Sequence, residues 1–125
     1  EISCSLVGSE MCIRDRITRL RTLFPENIRL FTAVVEGRIE GGTVIYECGD
    51  CVRVQYISAS LRGKECAVLD LLFSYLLQEH YARRRYFDFG TSNGDDGYYL
   101  NEGLIAQKEG FGGRGIVYET YLLTF

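Results

Sequence analysis

The sequence predicts a mixed α/β fold of the α+β type, with helices packed on one mainly antiparallel sheet. Three observations predict it. Runs of β-branched and aromatic residues, separated by glycine-containing turns, follow one another between residues 28 and 58. Residues 65–84 then repeat apolar side chains at helical spacing. Shorter β-rich and helical segments alternate after that, which gives the order β-β-β-α-β-α-β.

The first elements form a helix end followed by an antiparallel meander. Residues 17–24 carry apolar side chains at helical spacing, and Pro25 ends that pattern. Three strands are predicted next, at 28–35, 42–47 and 52–58. Gly49 and Asp50 join the last two strands as a two-residue loop, which is typical of a type I′ or II′ hairpin.

The later elements alternate between helix and strand. The helix at 65–84 places one apolar face toward the sheet, formed by Val68, Leu71, Leu72, Tyr75 and Leu76. A short strand at 86–89 follows, and the crossover that leads to it should be right-handed. A second helix is predicted from Tyr99 to Glu109, and a last strand from Gly115 to Phe125.

Composition and charge exclude several classes of function. The chain of 125 residues has 14 basic and 17 acidic side chains, a net charge of −3, so no DNA or other nucleic-acid partner is indicated. No apolar stretch is long enough to span a bilayer. Cysteines at 48, 51 and 66 without an evident pairing indicate a reducing compartment, and we expect a cytoplasmic location.

Residues 1–16, with the sequence EISCSLVGSEMCIRDR, resemble the translation of a synthetic sequencing-library adapter. We therefore set this segment aside as an artefact that is not part of the fold. The domain is expected to comprise residues 17–125 and to lack its original N-terminal part.

The motif Cys48-Gly49-Asp50-Cys51 is interpreted as a turn in which the two cysteines face each other. A zinc site would need a second ligand pair, for which only Cys66 and His80 remain, so no metal is predicted. A redox motif would lie at a helix N-terminus, which this hairpin is not. His80 could act as a general base, although its place at a helix end favours a solvated cap.

Two further regions carry candidate binding and catalytic residues. The loop at 58–64 joins a strand to a helix N-terminus, where it could bind phosphate or form a plain turn. Asp88, near the end of its strand, could be a general base or a structural carboxylate that caps the following loop. Ser92, Asn101 and Lys108 are candidate substrate-binding residues with the same two possibilities.

Several motifs between residues 24 and 121 together resemble the FemAB-like branch of the GNAT N-acyltransferase superfamily. The motifs are Phe24-Pro25-x-x-Ile28, Gly41-Gly42-Thr43, Tyr86–Ser92, Leu100–Leu104 and Gln107–Gly112, followed by Tyr118 and Tyr121. The resemblance covers almost all of residues 17–125. It implies a GNAT-like sheet whose first strand and helices lie outside this chain.

The resemblance also implies a reaction, the transfer of an acyl group (acetyl or aminoacyl) from an activated donor to an amine acceptor. It places the pantetheine arm of acyl-CoA along Ile57, Ser58 and Ala59, and the pyrophosphate at Arg62, Gly63 and Lys64. The usual loop of the superfamily carries a second small residue that this chain lacks, so aminoacyl-tRNA stands beside acetyl-CoA as a possible donor.

For the chemistry, Asp88 is the first choice as base, and Tyr98 or Tyr99 as the acid that protonates the leaving group. Both the donor and the acceptor would be small molecules in the acyl-CoA case, and no metal is implied. The activity is expected of the intact parent protein, whereas the fragment itself would be inactive. The alternative is a non-catalytic domain of GNAT fold that binds a ligand or partner.

Overall fold

The computed structural model describes residues 7–125, with side chains from residue 13 onward. Helix α1 starts at Val7, so it runs across the boundary predicted at Ile17, while residues 1–6 lie outside the described residues. The chain divides into two compact units, one that ends at Gly90 and one from Thr91 to Phe125. The elements of the first unit are α1 (Val7–Leu23), β1 (Ile28–Val35), β2 (Arg38–Cys48), β3 (Cys51–Ala59), α2 (Leu61–Glu65), α3 (Val68–Tyr75), a π-helical turn (Leu76–His80) and β4 (Tyr86–Asp88).

The sheet of the first unit has the strand order β1-β2-β3-β4. The pairs β1–β2 and β2–β3 are antiparallel, and β3–β4 is parallel. The structure thus confirms the mainly antiparallel mixed sheet and the meander. Gly49 has a φ of +53°, as both predicted turn types require at that position, and Cys48 pairs directly with Cys51 across the turn.

The core of the first unit lies between the sheet and the helices that follow β3. Its fully buried apolar side chains come from both layers: Ile45 and Val52 from the sheet, Phe73 and Leu76 from the helices. Phe73 also makes edge-on contacts with the rings of Phe87 and Phe89, which follow on β4 and just after it.

The predicted single helix at 65–84 is wrong in three respects. It begins earlier, at Leu61, because Ser60 caps α2, and it breaks at Ala67, which has a left-handed φ of +51°. After the break, the buried face is narrower than predicted and consists of Val68, Leu72, Phe73 and Leu76. Leu71, at 74% exposure, and Tyr75, at 45%, were predicted on that face but lie outside it. The last turn, Leu76–His80, is π-helical rather than α-helical.

A buried tyrosine fastens the end of this helix to the sheet. The Tyr81 hydroxyl donates a hydrogen bond to Glu47 Oε1 at 2.6 Å, and Arg29 and Arg84 each lie 3.7 Å from the same carboxylate. Burial, and then the hydrogen bond to Glu47, raise the pKa of Tyr81 above its usual value. His80, exposed at the helix end, packs edge-on against Phe31 and Tyr81.

The second unit contains a two-stranded pair, β5 (Asn93–Gly94) with β6 (Tyr99–Leu100), a 3₁₀ turn (Asp95–Gly97) and helix α4 (Glu102–Gly110). The predicted start of this helix at Tyr99 is wrong, because Asn101 caps it with a hydrogen bond from the Leu104 N–H to Asn101 Oδ1 at 3.0 Å.

The predicted last strand, Gly115–Phe125, is also wrong. These residues form no strand in the part of the chain that the structure describes, and their large side chains are exposed, for example Val117 at 83% and Leu122 at 90%. A β-prone sequence becomes a strand only when it has a pairing partner, and here the ladder is missing. Between residues 7 and 125, no helix is both long and apolar enough to cross a membrane.

Candidate functional site

The most distinctive feature of the sheet is a fork between β3 and β4. The parallel ladder holds for three register pairs, the last of which joins Arg53 and Asp88. Strand β3 continues to Ala59, and no strand among the described residues pairs with Val54–Ala59 on that side. The backbone N–H and C=O groups of this part of β3 therefore form an open edge.

The parallel pairing of β3 with β4 ends at a turn that follows β4. Asp88 Oδ1 accepts a hydrogen bond from the Gly90 N–H at 2.7 Å, and Gly90 has a φ of +73°, which suits glycine. Asp88 Oδ2 accepts a hydrogen bond from Arg53 Nη1 at 3.0 Å. The carboxylate therefore caps the following loop, which is the structural alternative that the sequence analysis gave for it, and it also pairs with the Arg53 guanidinium.

The open part of β3 begins with a bulge. The register with β2 shifts between the pairs Val44–Tyr56 and Ile45–Val54, which leaves Gln55 as the extra residue. Just beyond it, the buried Thr43 hydroxyl donates to the Tyr56 carbonyl at 2.8 Å. Bulges bend a strand and re-aim its side chains, and they are common next to active sites. Nothing in the sequence marked Gln55 or Thr43 as part of this arrangement.

The turn after β3 is tightly built around Ser60. Its Oγ accepts from the Gly63 N–H at 2.9 Å, and its carbonyl accepts from the Lys64 N–H at 3.0 Å. Its own N–H donates to the Glu40 carbonyl at 2.9 Å, and its hydroxyl also bonds the Glu40 carboxylate. Gly63 is buried in this turn. A Cβ on it would lie 2.1 Å from the Glu40 carbonyl oxygen, so the position requires glycine.

This turn holds the three residues that the resemblance assigned to a pyrophosphate. The amides of Gly63 and Lys64 are both occupied by Ser60, whereas those of Leu61 and Arg62 belong to the first turn of α2 and have no acceptor within the helix. The Arg62 side chain is paired with Glu36, and this hydrogen bond raises the pKa of Arg62. Lys64 is exposed.

A cavity of about 410 Å³ lies on the sheet. Its lining contains Ile57, Ser58 and Ala59, the residues expected along a pantetheine arm. Its walls come from all three antiparallel strands and from α1. The lining residues are Ile13, Ile17, Leu30, Thr32, Ile39–Val44 and Tyr56–Ser60. Ligand pockets are typically about 300–1,000 Å³ and mostly apolar, so this one has the size and character of a binding site.

Glu40 is a residue of this region that the sequence analysis missed. It is 8% exposed and lies at an irregularity of β2, between the register pairs Ala33–Gly41 and Val34–Ile39. The predicted strand started at Gly42, which placed Glu40 in a solvated turn. A glutamate followed by two glycines was the available signal, because glycines in a strand mark close approach of another backbone.

The second unit brings three predicted substrate residues together. Asn101 donates its backbone N–H to the Ser92 carbonyl at 2.9 Å, and Lys108 Nζ donates to the adjoining Thr91 carbonyl at 2.6 Å. Ser92 and Lys108 are buried, at 9% and 8% exposure. These contacts tie α4 to the segment before β5.

The two candidate acids lie in the same unit but outside this cluster. Tyr98 is 90% and Tyr99 61% exposed, so both hydroxyls are open to solvent. Among the described residues, no group of three or more histidine, cysteine or carboxylate side chains could hold a metal ion.

Comparison with known proteins identifies the fold. No protein-family model and no curated protein matches the sequence. One similar solved structure is the crystal structure of ribosomal-protein-alanine N-acetyltransferase from Brucella melitensis biovar Abortus 2308, with a TM-score of 0.50 and 14% identity. The match covers 82% of this chain and 73% of that one. The match supports a GNAT-like mixed α+β fold for this chain. It does not support assignment to the FemAB-like branch in particular.

Proposed function

We propose that this chain is a GNAT-type N-acyltransferase domain that takes an acyl group from acyl-CoA and transfers it to an amine. The observation that carries the proposal is the fork: β3 parts from β4 after Arg53 and presents an open edge up to Ala59. The pantetheine arm of CoA contains two amides in an extended chain. Such a chain can add to an open edge as a strand does, through backbone hydrogen bonds.

The surroundings of the open edge support the same use. The cavity along Ile57, Ser58 and Ala59 gives the acyl end of the donor an apolar environment. Lys64 is an exposed cation in the turn that follows, where the donor phosphates would end. Arg62 could join it if a phosphate displaced Glu36 from its guanidinium.

The reaction itself requires an amine nitrogen to attack the thioester carbonyl. A C–N bond forms, the C–S bond breaks, and the CoA thiolate leaves and takes up a proton. Positioning of the two reactants and hydrogen bonds to the oxyanion supply most of the rate enhancement in such transfers. Backbone N–H groups on the open part of β3, next to the bulge at Gln55, are suited to that oxyanion.

The reaction also needs a base for the amine and an acid for the leaving thiolate. Tyr98 and Tyr99 are accessible and remain the candidate acids for the leaving thiolate. The contacts of Asp88 with Arg53 and Gly90 favour a structural role over the role of base. Ser92, Asn101 and Lys108, which are held together within the second unit, remain the candidate acceptor-binding residues. Aminoacyl-tRNA stays the alternative donor if the FemAB-like motifs reflect function.

Titration calorimetry with CoA and acetyl-CoA tests the donor site. Lys64→Glu should weaken binding by at least about tenfold, because a phosphate contact becomes a repulsion. Arg83→Glu is the matched control, since Arg83 is an exposed cation outside the turn at residues 60–64. The affinity of this variant for CoA should equal that of the wild type. Absence of CoA binding by the folded chain, or equal weakening in both variants, would contradict the proposal.

A second assay separates catalysis from binding. Released CoA is measured chromatographically with a panel of primary amines, and Asp88→Asn is compared with the wild type. Turnover lost in Asp88→Asn with CoA affinity retained would restore Asp88 as the base. This assay uses the intact parent protein, because the fragment by itself is expected to be inactive. CoA binding by the parent without any release would favour the alternative, a non-catalytic domain, which the engagement of Asp88 by Arg53 also supports.

A further inference from the structure

The tip of the β2–β3 hairpin holds two thiols opposite each other. Cys48 and Cys51 are direct register partners on either side of Gly49 and Asp50. Directly opposed residues in an antiparallel ladder have Cα atoms about 4.5–5.5 Å apart. Disulfides span about 4.4–6.8 Å between Cα atoms, so the ladder already provides the spacing that a bond between these cysteines needs.

Both thiols are free, and they differ in access. Cys48 is exposed, whereas Cys51 is partly buried. The turn between them is fixed from outside, because the Gly49 carbonyl accepts a hydrogen bond from Arg84, and the Asp50 carbonyl accepts one from the Tyr86 N–H at 3.1 Å. The folded hairpin therefore holds Cys48 and Cys51 directly across from each other.

The hairpin lacks the helix N-terminus on which the sequence analysis rejected a redox motif, but direct register pairing brings the two thiols together without it. We propose that Cys48 and Cys51 form a thiol–disulfide exchange site whose co-substrate is a small disulfide of the glutathione type. The thiolate of Cys48 attacks one sulfur of that disulfide, which forms a mixed disulfide and releases one small thiolate. The thiolate of Cys51 then attacks Cys48 Sγ and releases the second. The protein loses two electrons and two protons, and the small disulfide is reduced to two thiols.

The order of attack follows from exposure. Cys48 reaches the small disulfide first, and Cys51 resolves the intermediate from across the ladder. Cys66 is also exposed, but it lies outside any strand, next to α2, and has no register partner. It should stop at the mixed disulfide and so serves as an internal reference.

Mass spectrometry of the full chain after equilibration in glutathione buffers tests the site. Cys4 and Cys12, whose side chains lie outside the described ones, are replaced by serine in every sample. We expect an intramolecular Cys48–Cys51 bond together with a glutathione adduct on Cys66. Cys51→Ser should trap glutathione on Cys48, and Cys48→Ser should slow the modification of Cys51.

A variant of the turn checks that the hairpin provides the proximity. Gly49→Val places a β-branched residue at a φ of +53° and should lower the equilibrium yield of the intramolecular bond by about tenfold or more. Glutathione on Cys48 and Cys51 separately in the wild type would overturn the proposal. So would an unchanged yield of the bond in folded Gly49→Val.

Discussion

Replacing Gly63 with alanine probes the tightest contact at the start of α2. The new Cβ would lie 2.1 Å from the Glu40 carbonyl oxygen, 2.9 Å from its carbon and 3.0 Å from Val68 Cγ2. Two of these three atoms belong to the backbone, so they cannot give way as the end of a side chain would. The same carbonyl accepts the Ser60 N–H, and moving it would strain that hydrogen bond as well.

The size of the effect follows from three contributions. Overpacking costs about 1–3 kcal/mol, and a backbone obstacle puts this case at the upper end. Loss of the Ser60 hydrogen bond adds about 1 kcal/mol. Alanine regains about 1 kcal/mol over glycine inside a helix. The free energy of unfolding should therefore fall by about 2–3 kcal/mol, and the melting temperature by roughly 8–12 °C.

Thermal unfolding followed by circular dichroism, together with urea titration, measures this change. Gly103→Ala is the matched control, because Gly103 also lies in a helix but a Cβ there meets its nearest atom at an ordinary 3.6 Å. That variant should be as stable as the wild type or slightly more so. An unchanged melting temperature in Gly63→Ala would refute the packing argument. The requirement for glycine at position 63 would then rest on ligand binding alone.

Two further substitutions test other contacts. Ser60→Ala removes both the cap that accepts the Gly63 N–H and the hydrogen bond to the buried Glu40 carboxylate, so it should lower the free energy of unfolding by about 2–4 kcal/mol in urea titration, whereas an unchanged midpoint would contradict both contributions. Tyr81→Phe removes the hydrogen bond to Glu47 and should cost about 1.5–3 kcal/mol near neutral pH. Because folding raises the pKa of Tyr81, its contribution is complete below the unfolded pKa of about 10 and declines as the pH rises beyond it. The stability difference between wild type and Tyr81→Phe should therefore stay constant up to about pH 9 and shrink as the pH rises above about 10, and a difference that does not shrink above about pH 10 would contradict this.

Local sequence signals predicted the meander well. The alternation along β1 to β3 and the pair Gly49-Asp50 specify an antiparallel hairpin through contacts close in the chain. Local signals did not predict the fork, since the length of the parallel ladder depends on the turn that Asp88 and Gly90 form, which is a detail of side-chain hydrogen bonding.

Features that depend on distant contacts were not predicted. The break at Ala67 was not predicted, because an alanine in the sequence gives no sign of a left-handed φ. Glu40 looked like a surface residue until β2 was seen to include it. The residues after Gly113 have strand propensity throughout, yet propensity cannot provide the neighbouring strand that they require.

The unpaired stretch Gly115–Phe125 has a practical consequence for work with this protein. Its rings and aliphatic groups face water, and its backbone offers hydrogen bonds to whatever extended chain approaches. Strand β1 is an edge strand of the sheet and likewise offers unpaired backbone hydrogen-bonding groups. In concentrated samples the residues after Gly115 of one molecule can pair with the β1 edge of another, so dilution, together with cooling or mild denaturant to weaken apolar association, is the means of keeping preparations monodisperse.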